Sequence, residues 1–211
     1  GGLSKSFVPM LPTDGFDHGG AVSPRKKYIV NASTYWSSVA HTTWLIDVGG
    51  YYPGIDINAL GTYTLSGAVP DRYSDGWQVG VYITSEPSGL GGSGSMTLTY
   101  TNQANVGSRS TVVASSNAGY SYAYNSRVFC PLQAGDLGVK SIQSLQVTAA
   151  NTGVATATVF LFKILATIPV TTNYAAAERD YVNQSPFLRQ VHDDASLHQI
   201  FLPSSSTTAG A

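Results

Sequence analysis

Two histidines and two aspartates lie within the segment HDDASLH, residues 192–198, and they could offer imidazole and carboxylate ligands to a metal ion. The spacing argues against that use, because His192 and His198 are six positions apart. This fits neither the i, i+4 spacing of one helix face nor the HExxH pattern. We therefore favour a structural interpretation, in which Asp193 or Asp194 caps or hydrogen-bonds the turn before a final strand, and we predict no metal site.

A second candidate is GLGGSG, residues 89–94, which matches the G-x-G-x-x-G pattern of dinucleotide-binding loops. In that motif the third glycine opens a helix whose N-terminus faces the pyrophosphate. Here the alternating segment SMTLTY follows, which is typical of a strand. We therefore predict a flexible hairpin loop and no nucleotide cofactor.

The remaining reactive side chains do not form a recognisable catalytic pattern. Serine, histidine and aspartate are all present, but no G-x-S-x-G elbow accompanies them. Asp17 and His18 in FDHGG could bind an ion, although such stretches are usually loops. Cys130 ends an apolar segment before a proline, and we interpret it as a small buried hydrophobic residue rather than a nucleophile. We predict no catalytic residues, and thus no enzyme.

Surface recognition is the other chemistry that these residues could support. PRKKY, residues 24–28, is a short basic step, and Asn31 and Asn183 begin N-x-S glycosylation patterns. Aromatic side chains could stack on sugars, and we nominate three tyrosines as a possible glycan or interface site: Tyr120, Tyr122 and Tyr124. The tryptophans and the pair at residues 51–52 are expected to lie mainly in the core or in interfaces.

The elements that must position these residues are strands. In WQVGVYI, residues 77–83, alternate positions are apolar, and SMTLTY, residues 95–100, repeats the pattern. In the segment 139–147 the apolar residues are first three apart and then two, which predicts a bulge or a single helical turn near Ser141. About ten strands with frequent turn signals predict an all-β antiparallel sandwich, most simply a jelly roll.

The expected organisation is one domain with an arm. Residues 1–25 contain too much proline and glycine for a helix or a central strand, so we predict an irregular N-terminal arm and a β-sandwich domain over residues 26–211. One short helix is predicted near the C-terminus, over residues 173–182 with Asn173 as N-cap. The opening residues lack an initiator methionine and a signal-peptide pattern, which indicates a processed chain or a fragment.

Composition narrows the class of protein further. Charged residues make up 11% of the 211 residues, against about 25% in an average soluble domain, and the net charge is −1. No global field therefore draws nucleic acid or an anionic membrane, and no apolar run is long enough to span a bilayer. The one cysteine excludes an intrachain disulfide. A polar surface built from hydroxyls and amides suits large assemblies and lectin-like modules.

Three segments carry a resemblance to a known family. They are TLTYTNQANVGSRSTVV (97–113), PLQAGDLGVKSIQSLQVTAANTG (131–153) and FLRQVHDDASLHQIFLPSSSTTAG (187–210). In this order they resemble segments of virion structural proteins of tailed bacteriophages, of the head-decoration or minor structural type. Ser196 stands where that family often has cysteine. Relatives tend to add a final strand, which we expect to be absent here or supplied by a neighbour.

The resemblance implies a non-enzymatic virion protein, plausible as a capsid decoration or cement protein at the particle surface. Its partners would be other copies of itself, with a trimer favoured, and other virion proteins such as the major capsid protein. In this interpretation Gly135 and Gly138 set the turn around Asp136, and the arm over residues 1–25 grips a neighbour. The alternative is a carbohydrate- or receptor-binding sandwich, such as an adhesin or head fibre, that binds a host surface glycan. Neither implies direct contact with nucleic acid or a membrane.

Overall fold

A computed structural model of the chain describes residues 3–36, 40–84, 94–114, 127–150, 156–171, 175–184 and 188–203. The regular secondary structure of these residues is almost entirely β-strand, as the alternating sequence patterns predict. They divide into two compact units: residues 1–10 with 49–162, and residues 11–48 with 163–211. No helix in the described ranges is long and apolar enough to cross a membrane.

The first unit is a β-sandwich of two sheets. One sheet has the order β1-β6-β11-β8-β9, and the other has the order β10-β7-β12-β5, with β2 also paired to β5. The strands are β1 (Leu3–Ser6), β2 (Val8–Pro9), β5 (His41–Asp56), β6 (Gly61–Ser66), β7 (Gln78–Ile83), β8 (Ser95–Asn102), β9 (Arg109–Ala114), β10 (Arg127–Phe129), β11 (Val139–Ala149) and β12 (Thr156–Val170). The sandwich is confirmed, whereas jelly-roll connectivity stays a prediction.

Both sheets of this unit contribute side chains to one hydrophobic core, because alternate residues of each strand point to the same face. Trp77, Val79, Val81 and Ile83 are buried from one sheet, as the pattern in residues 77–83 predicts. From the other sheet come Met96, Leu98 and Tyr100 of β8 and the four apolar residues of β11, which are Val139, Ile142, Leu145 and Val147.

The uneven spacing of apolar residues in β11 results from bulges. Against β8 the pairing shifts register between Val139 and Ser141, and again between Ile142 and Ser144. Each bulge adds one residue, so side chains three apart return to the same face. The bulge predicted near Ser141 is therefore confirmed.

The second unit contains one end of each of the two longest strands, residues 41–48 of β5 and residues 163–170 of β12. Residues 41–47 of β5 pair with β15 (Leu197–Pro203), and β12 continues to Val170. Two small antiparallel ribbons complete it, β4 (Asn31–Trp36) with β13 (Ala175–Asp180) and β3 (Lys27–Tyr28) with β14 (Gln190–Val191). A 3-10 turn covers Pro12–Asp14, and the α-helix α1 covers Tyr181–Gln184.

The short helix near the C-terminus is confirmed, but its predicted position is wrong over most of its length. Ala175–Asp180 forms the strand β13, with Ala176 opposite Tyr35 and Glu178 opposite Ser33. The alanine-rich segment has good helix propensity, but pairing with β4 overrides it, since propensity is a weak prior against tertiary contacts.

The predicted boundary between an arm over residues 1–25 and a domain over residues 26–211 stays a prediction. Residues 1–10 belong to the first unit, where Leu3–Ser6 runs parallel to β6, and residues 11–25 belong to the second. The predicted arm is therefore partly ordered against its own chain. The physical reason is that its backbone donors and acceptors find partners in strands of the same protein.

The glycine-rich loop also differs from its prediction. Residues 85–93 lie outside the described ranges, but the flanking strands β7 and β8 belong to different sheets and do not pair. β7 and β8 therefore do not form the predicted β-hairpin. By contrast, the segment 102–107 does join two paired strands, β8 and β9.

Candidate functional site: a buried carboxylate between two loops

The most specific polar arrangement in the first unit is centred on a tight turn between β10 and β11. The backbone N–H of Asp136 donates to the carbonyl of Gln133 at 3.0 Å, which closes the turn. Gly135 has a φ of +88°, in the left-handed region that favours glycine. The role predicted for Gly135 in this turn is thus confirmed by its backbone conformation.

The carboxylate of Asp136 accepts hydrogen bonds from three side chains of the neighbouring hairpin β8–β9. Tyr100 Oη donates to Oδ2 at 2.6 Å, Asn102 Nδ2 donates to Oδ1 at 2.7 Å, and Arg109 Nε donates to Oδ2 at 2.9 Å. The side chain of Asp136 is only 3% exposed. We call these four residues the Asp136 cluster.

The donors of the cluster are themselves held by the backbone around them. Tyr100 Oη accepts from the N–H of Gln133 at 2.8 Å. Asn102 Oδ1 accepts from the N–H groups of Ala104 and Val106 at 3.0 and 2.9 Å, which closes the β8–β9 turn. The cluster therefore determines the conformation of two loops at once.

Gln103 and Gln133 join the same two loops from either side. The side-chain oxygen of Gln103 accepts from the N–H groups of Leu137 and Gly138 at 3.0 and 3.3 Å, and the backbone N–H of Gln103 donates to the carbonyl of Gly138 at 2.9 Å. The side chain of Gln133 donates to the carbonyl of Ser110 at 2.7 Å. As a result, the two loops behave as one hydrogen-bonded block.

The electrostatics of the cluster follow from these contacts. Hydrogen bonds from Arg109, Tyr100 and Asn102, of which the Arg109 bond has the largest effect, together lower the pKa of Asp136. Burial opposes them, and the net result is a pKa of about 2. Burial, followed by the hydrogen bond to Asp136, raises the pKa of Tyr100. At neutral pH the carboxylate is ionised and has fixed donors on both oxygens. It is thus arranged to hold structure, and it is poorly suited to transferring protons.

A second close approach fixes the start of β11. Trp77 and Val139 exchange backbone hydrogen bonds of 2.9 and 2.8 Å, which links the β7 end of one sheet to the β11 end of the other. A Cβ atom on Gly138 would lie 2.2 Å from the carbonyl oxygen of Asp75. Only glycine allows this approach, so Gly138 is required by the close packing of two backbones, whereas its role in the turn around Asp136 stays a prediction.

The histidines and aspartates of residues 192–198, whose spacing favoured a structural interpretation over a metal site, make an ion pair and hydrogen bonds in the second unit. Asp193 forms an ion pair with Lys27 at 3.1 Å and accepts from the N–H of Val22, while the N–H of Ala195 donates to the carbonyl of His192 to close the local turn. His198 Nε2 lies 3.0 Å from Ser196 Oγ. Burial lowers the pKa of His198. In the described part of the chain, no group of three or more histidine, cysteine, aspartate or glutamate side chains could hold a metal ion.

Other candidates are also placed by the structure. Cys130 is buried, and burial raises its pKa to about 12, which confirms its interpretation as an unreactive core residue. Trp77 and Tyr52 are buried as well. Asn31 lies in β4, where its side-chain amide donates to Glu178. The proposed aromatic site at Tyr120, Tyr122 and Tyr124 lies outside the described residues.

Spacing and residue chemistry did not identify the Asp136 cluster, because its members lie on segments up to 36 positions apart. One signal was available. Two of the three segments that resemble phage structural proteins, 97–113 and 131–153, are the segments that the cluster joins. Comparison of the chain with protein-family models, with curated proteins and with solved structures finds no match.

Proposed function

We propose that this chain is a non-enzymatic structural protein of a tailed-phage virion, a capsid decoration protein or another minor component of the particle surface, and that it acts by oligomeric assembly. The observation that carries the proposal is the Asp136 cluster. Two of the three segments of the resemblance, 97–113 and 131–153, use their ionisable groups to hold two loops together. A protein whose role is to present a rigid surface needs such a block.

The third segment of the resemblance has a comparable structural use in the second unit. Its residues form β14 and β15, and the loop between them holds the segment 16–27 through Asp193, Ala195 and Leu197. All three segments therefore contribute to order and packing. This supports an assembly role over a catalytic one, in which some of these polar groups would be left available for substrate.

The rigid block also presents apolar side chains to solvent. Leu137 follows Asp136 directly and is 67% exposed, although its own N–H is bonded to Gln103. Val106, at the β8–β9 turn, is 51% exposed. An apolar side chain on an already ordered backbone loses little further entropy on binding, which makes it a suitable anchor for an interface. We assign Leu137 to the contact between copies of this chain or with the major capsid protein.

Light scattering behind a sizing column tests the proposal directly. We expect a trimer or a larger species of the 22.2 kDa protomer. Leu137→Asp should reduce the assembly to protomers or abolish binding to purified capsids. Leu60→Asp is the matched control, since Leu60 is 68% exposed in the same unit and lies outside the Asp136 block. A monomer that does not bind capsids would refute assembly, whereas equal behaviour of the two variants would refute only the role of Leu137.

The alternative, a carbohydrate- or receptor-binding sandwich, draws on aromatic side chains outside the core. Tyr28 and Tyr35 are 44% and 61% exposed. If this function holds, replacing Tyr120, Tyr122 and Tyr124 together should abolish binding on a glycan array and leave the oligomeric state intact. A wild-type protein that binds no glycan on the array would remove this alternative.

A further inference from the structure

In the second unit, a segment near the N-terminus is held against the loop that precedes β15. Phe16 N–H donates to the carbonyl of Leu197 at 2.7 Å, and Val22 N–H donates to the carboxylate of Asp193 at 3.3 Å. Between these two points, His18 Nε2 lies 2.9 Å from the carbonyl oxygen of Ala195. The imidazole is therefore the central contact of this attachment.

The partners of His18 determine its protonation state. Lys27 Nζ lies 2.9 Å from His18 Nδ1, and an ammonium group can only donate, so Nδ1 must accept and carry no proton. The carbonyl of Ala195 can only accept, so Nε2 must carry the proton and donate to it. The contact geometry thus requires a neutral imidazole with its proton on Nε2.

Lys27 has no free donor with which to adapt. Its ammonium also lies 3.1 Å from Asp193 Oδ1 and 3.2 Å from the carbonyl of Gly20, so its three N–H groups are all used. We call His18, Lys27, Asp193 and Ala195 the His18 clasp. Adding a proton to Nδ1 would remove the Lys27–His18 hydrogen bond and place two positive charges 2.9 Å apart.

We propose that the His18 clasp is a pH-sensitive latch, closed when His18 is neutral and opened when mild acid protonates it, which releases the segment 16–23 from the loop 192–197. The repulsion between two unit positive charges 2.9 Å apart corresponds to about a tenfold shift from the closed towards the open state, even at the dielectric constant of water. Imidazole is the side chain that ordinarily changes charge between about pH 5 and 8.

Other charged and titratable groups lie within the clasp or beside it. The hydrogen bond from Lys27 lowers the pKa of Asp193, so this carboxylate stays ionised in mild acid. Asp17 accepts from the N–H of Gly19. His198, which is partly buried, contacts the hydroxyl of Ser196 rather than the clasp. Lys27 and Asp193 of the clasp line a cavity of about 320 Å³, and four further titratable residues line it with them: Arg25, Lys26, His192 and Asp194.

Hydrogen exchange of the intact protein, followed by mass spectrometry, measures the opening. Protection of peptides covering residues 16–23 is compared at about pH 7.5 and 5.5 after correction for the intrinsic exchange rate at each pH, with peptides from β8 as an internal reference. For the wild type we expect protection to fall at least about tenfold in acid relative to that reference.

Two variants distinguish the latch from general acid lability. His18→Gln keeps a donor for Ala195 but cannot titrate, so its protection should not depend on pH over this range. Lys27→Met removes the opposing ammonium, so acid should no longer open the segment. Lys26→Met, a change of the same type at the exposed neighbouring position, should behave like the wild type.

Three results would overturn the proposal. The first is wild-type protection that does not change between the two pH values. The second is a His18→Gln protein that opens in acid as the wild type does. The third is a pH response that is lost in His198→Gln and retained in His18→Gln, which would assign the transition to the other histidine.

Discussion

Removing one hydroxyl from the Asp136 cluster should destabilise the first unit by a predictable amount. Tyr100 is fully buried, and its hydroxyl both donates to the Asp136 carboxylate at 2.6 Å and accepts from the N–H of Gln133 at 2.8 Å. Tyr100→Phe keeps the ring in the core but removes both bonds. A bond to a charged acceptor contributes about 1.5–3 kcal/mol, and an unsatisfied N–H adds a further cost, so we expect a loss of about 3 kcal/mol.

The chain offers a closely matched control in Tyr63. It is 4% exposed in the same core, and its hydroxyl also makes two bonds, one to the carbonyl and one from the N–H of Asp56 at 3.2 and 3.1 Å. Neither partner of this hydroxyl is charged. Tyr63→Phe also removes the acceptor of the Asp56 N–H, but Asp56 is exposed, so water can replace it. The cost should therefore be only about 1 kcal/mol, and the difference between the two variants mainly reports the charged acceptor.

The stability lost in Tyr100→Phe should depend on pH. The pKa of Asp136 is lowered to about 2 in the folded protein, against about 3.9 for an unfolded aspartate. Its contribution to stability is thus present above about pH 4 and is lost as the pH falls towards 2. Because Tyr100 is one cause of the lowering, the stability difference between wild type and Tyr100→Phe should shrink over this range.

Urea titration with hydrogen exchange of peptides from β8 and β11 restricts the readout to the first unit. The free energy of unfolding is compared for both tyrosine variants, at neutral pH and in acid. The comparison requires that the slope of this free energy against urea concentration is the same for both variants. Equal costs for Tyr100→Phe and Tyr63→Phe, with no change in their difference between about pH 5 and 2, would refute the description of Asp136 as a buried, multiply bonded carboxylate.

Two further outcomes follow from packing. Gly138→Ala should severely lower the thermal midpoint or prevent folding, because its Cβ would lie 2.2 Å from the backbone oxygen of Asp75. Gly107→Ala is the control and should stay close to wild type, because its Cβ would meet the movable side chain of Gln143 at 3.3 Å. Similar thermal midpoints for the two variants would contradict the close approach of the backbones at Gly138. Burial raises the pKa of Cys130 to about 12, so iodoacetamide at about pH 8 should label it only as fast as the protein unfolds, and rapid labelling of the native protein would show that the thiol is accessible.

The strands and their buried faces were largely predictable, because they depend on local pattern. In β7 and β8 the side chains alternate between two faces, so the apolar residues alone identified Val79, Val81, Met96 and Leu98 as core residues. The bulge near Ser141 was predictable for the same reason. A break in the two-residue period can be read directly from the positions of apolar residues.

The errors fall where distant parts of the chain decide the local structure. The segment YPG, residues 52–54, has the composition of a turn, but β5 continues through it to Asp56. Ala175–Asp180 read as a helix, but forms a strand because β4 supplies its partner. In both segments the local signals were real, and hydrogen bonds to strands far away in sequence outweighed them.

The sequence by itself determined the all-β class, the core faces of the strands and the burial of Cys130. Only the tertiary structure showed that the segments 97–113 and 131–153 are joined through one buried carboxylate. Asp136, Tyr100, Asn102 and Arg109 meet because β8 pairs with β11 in one register and with β9 in another. Alternation along a strand is a short-range property that sequence displays directly. The partners of a buried carboxylate are set by strand pairing across the sheet, which no single segment contains.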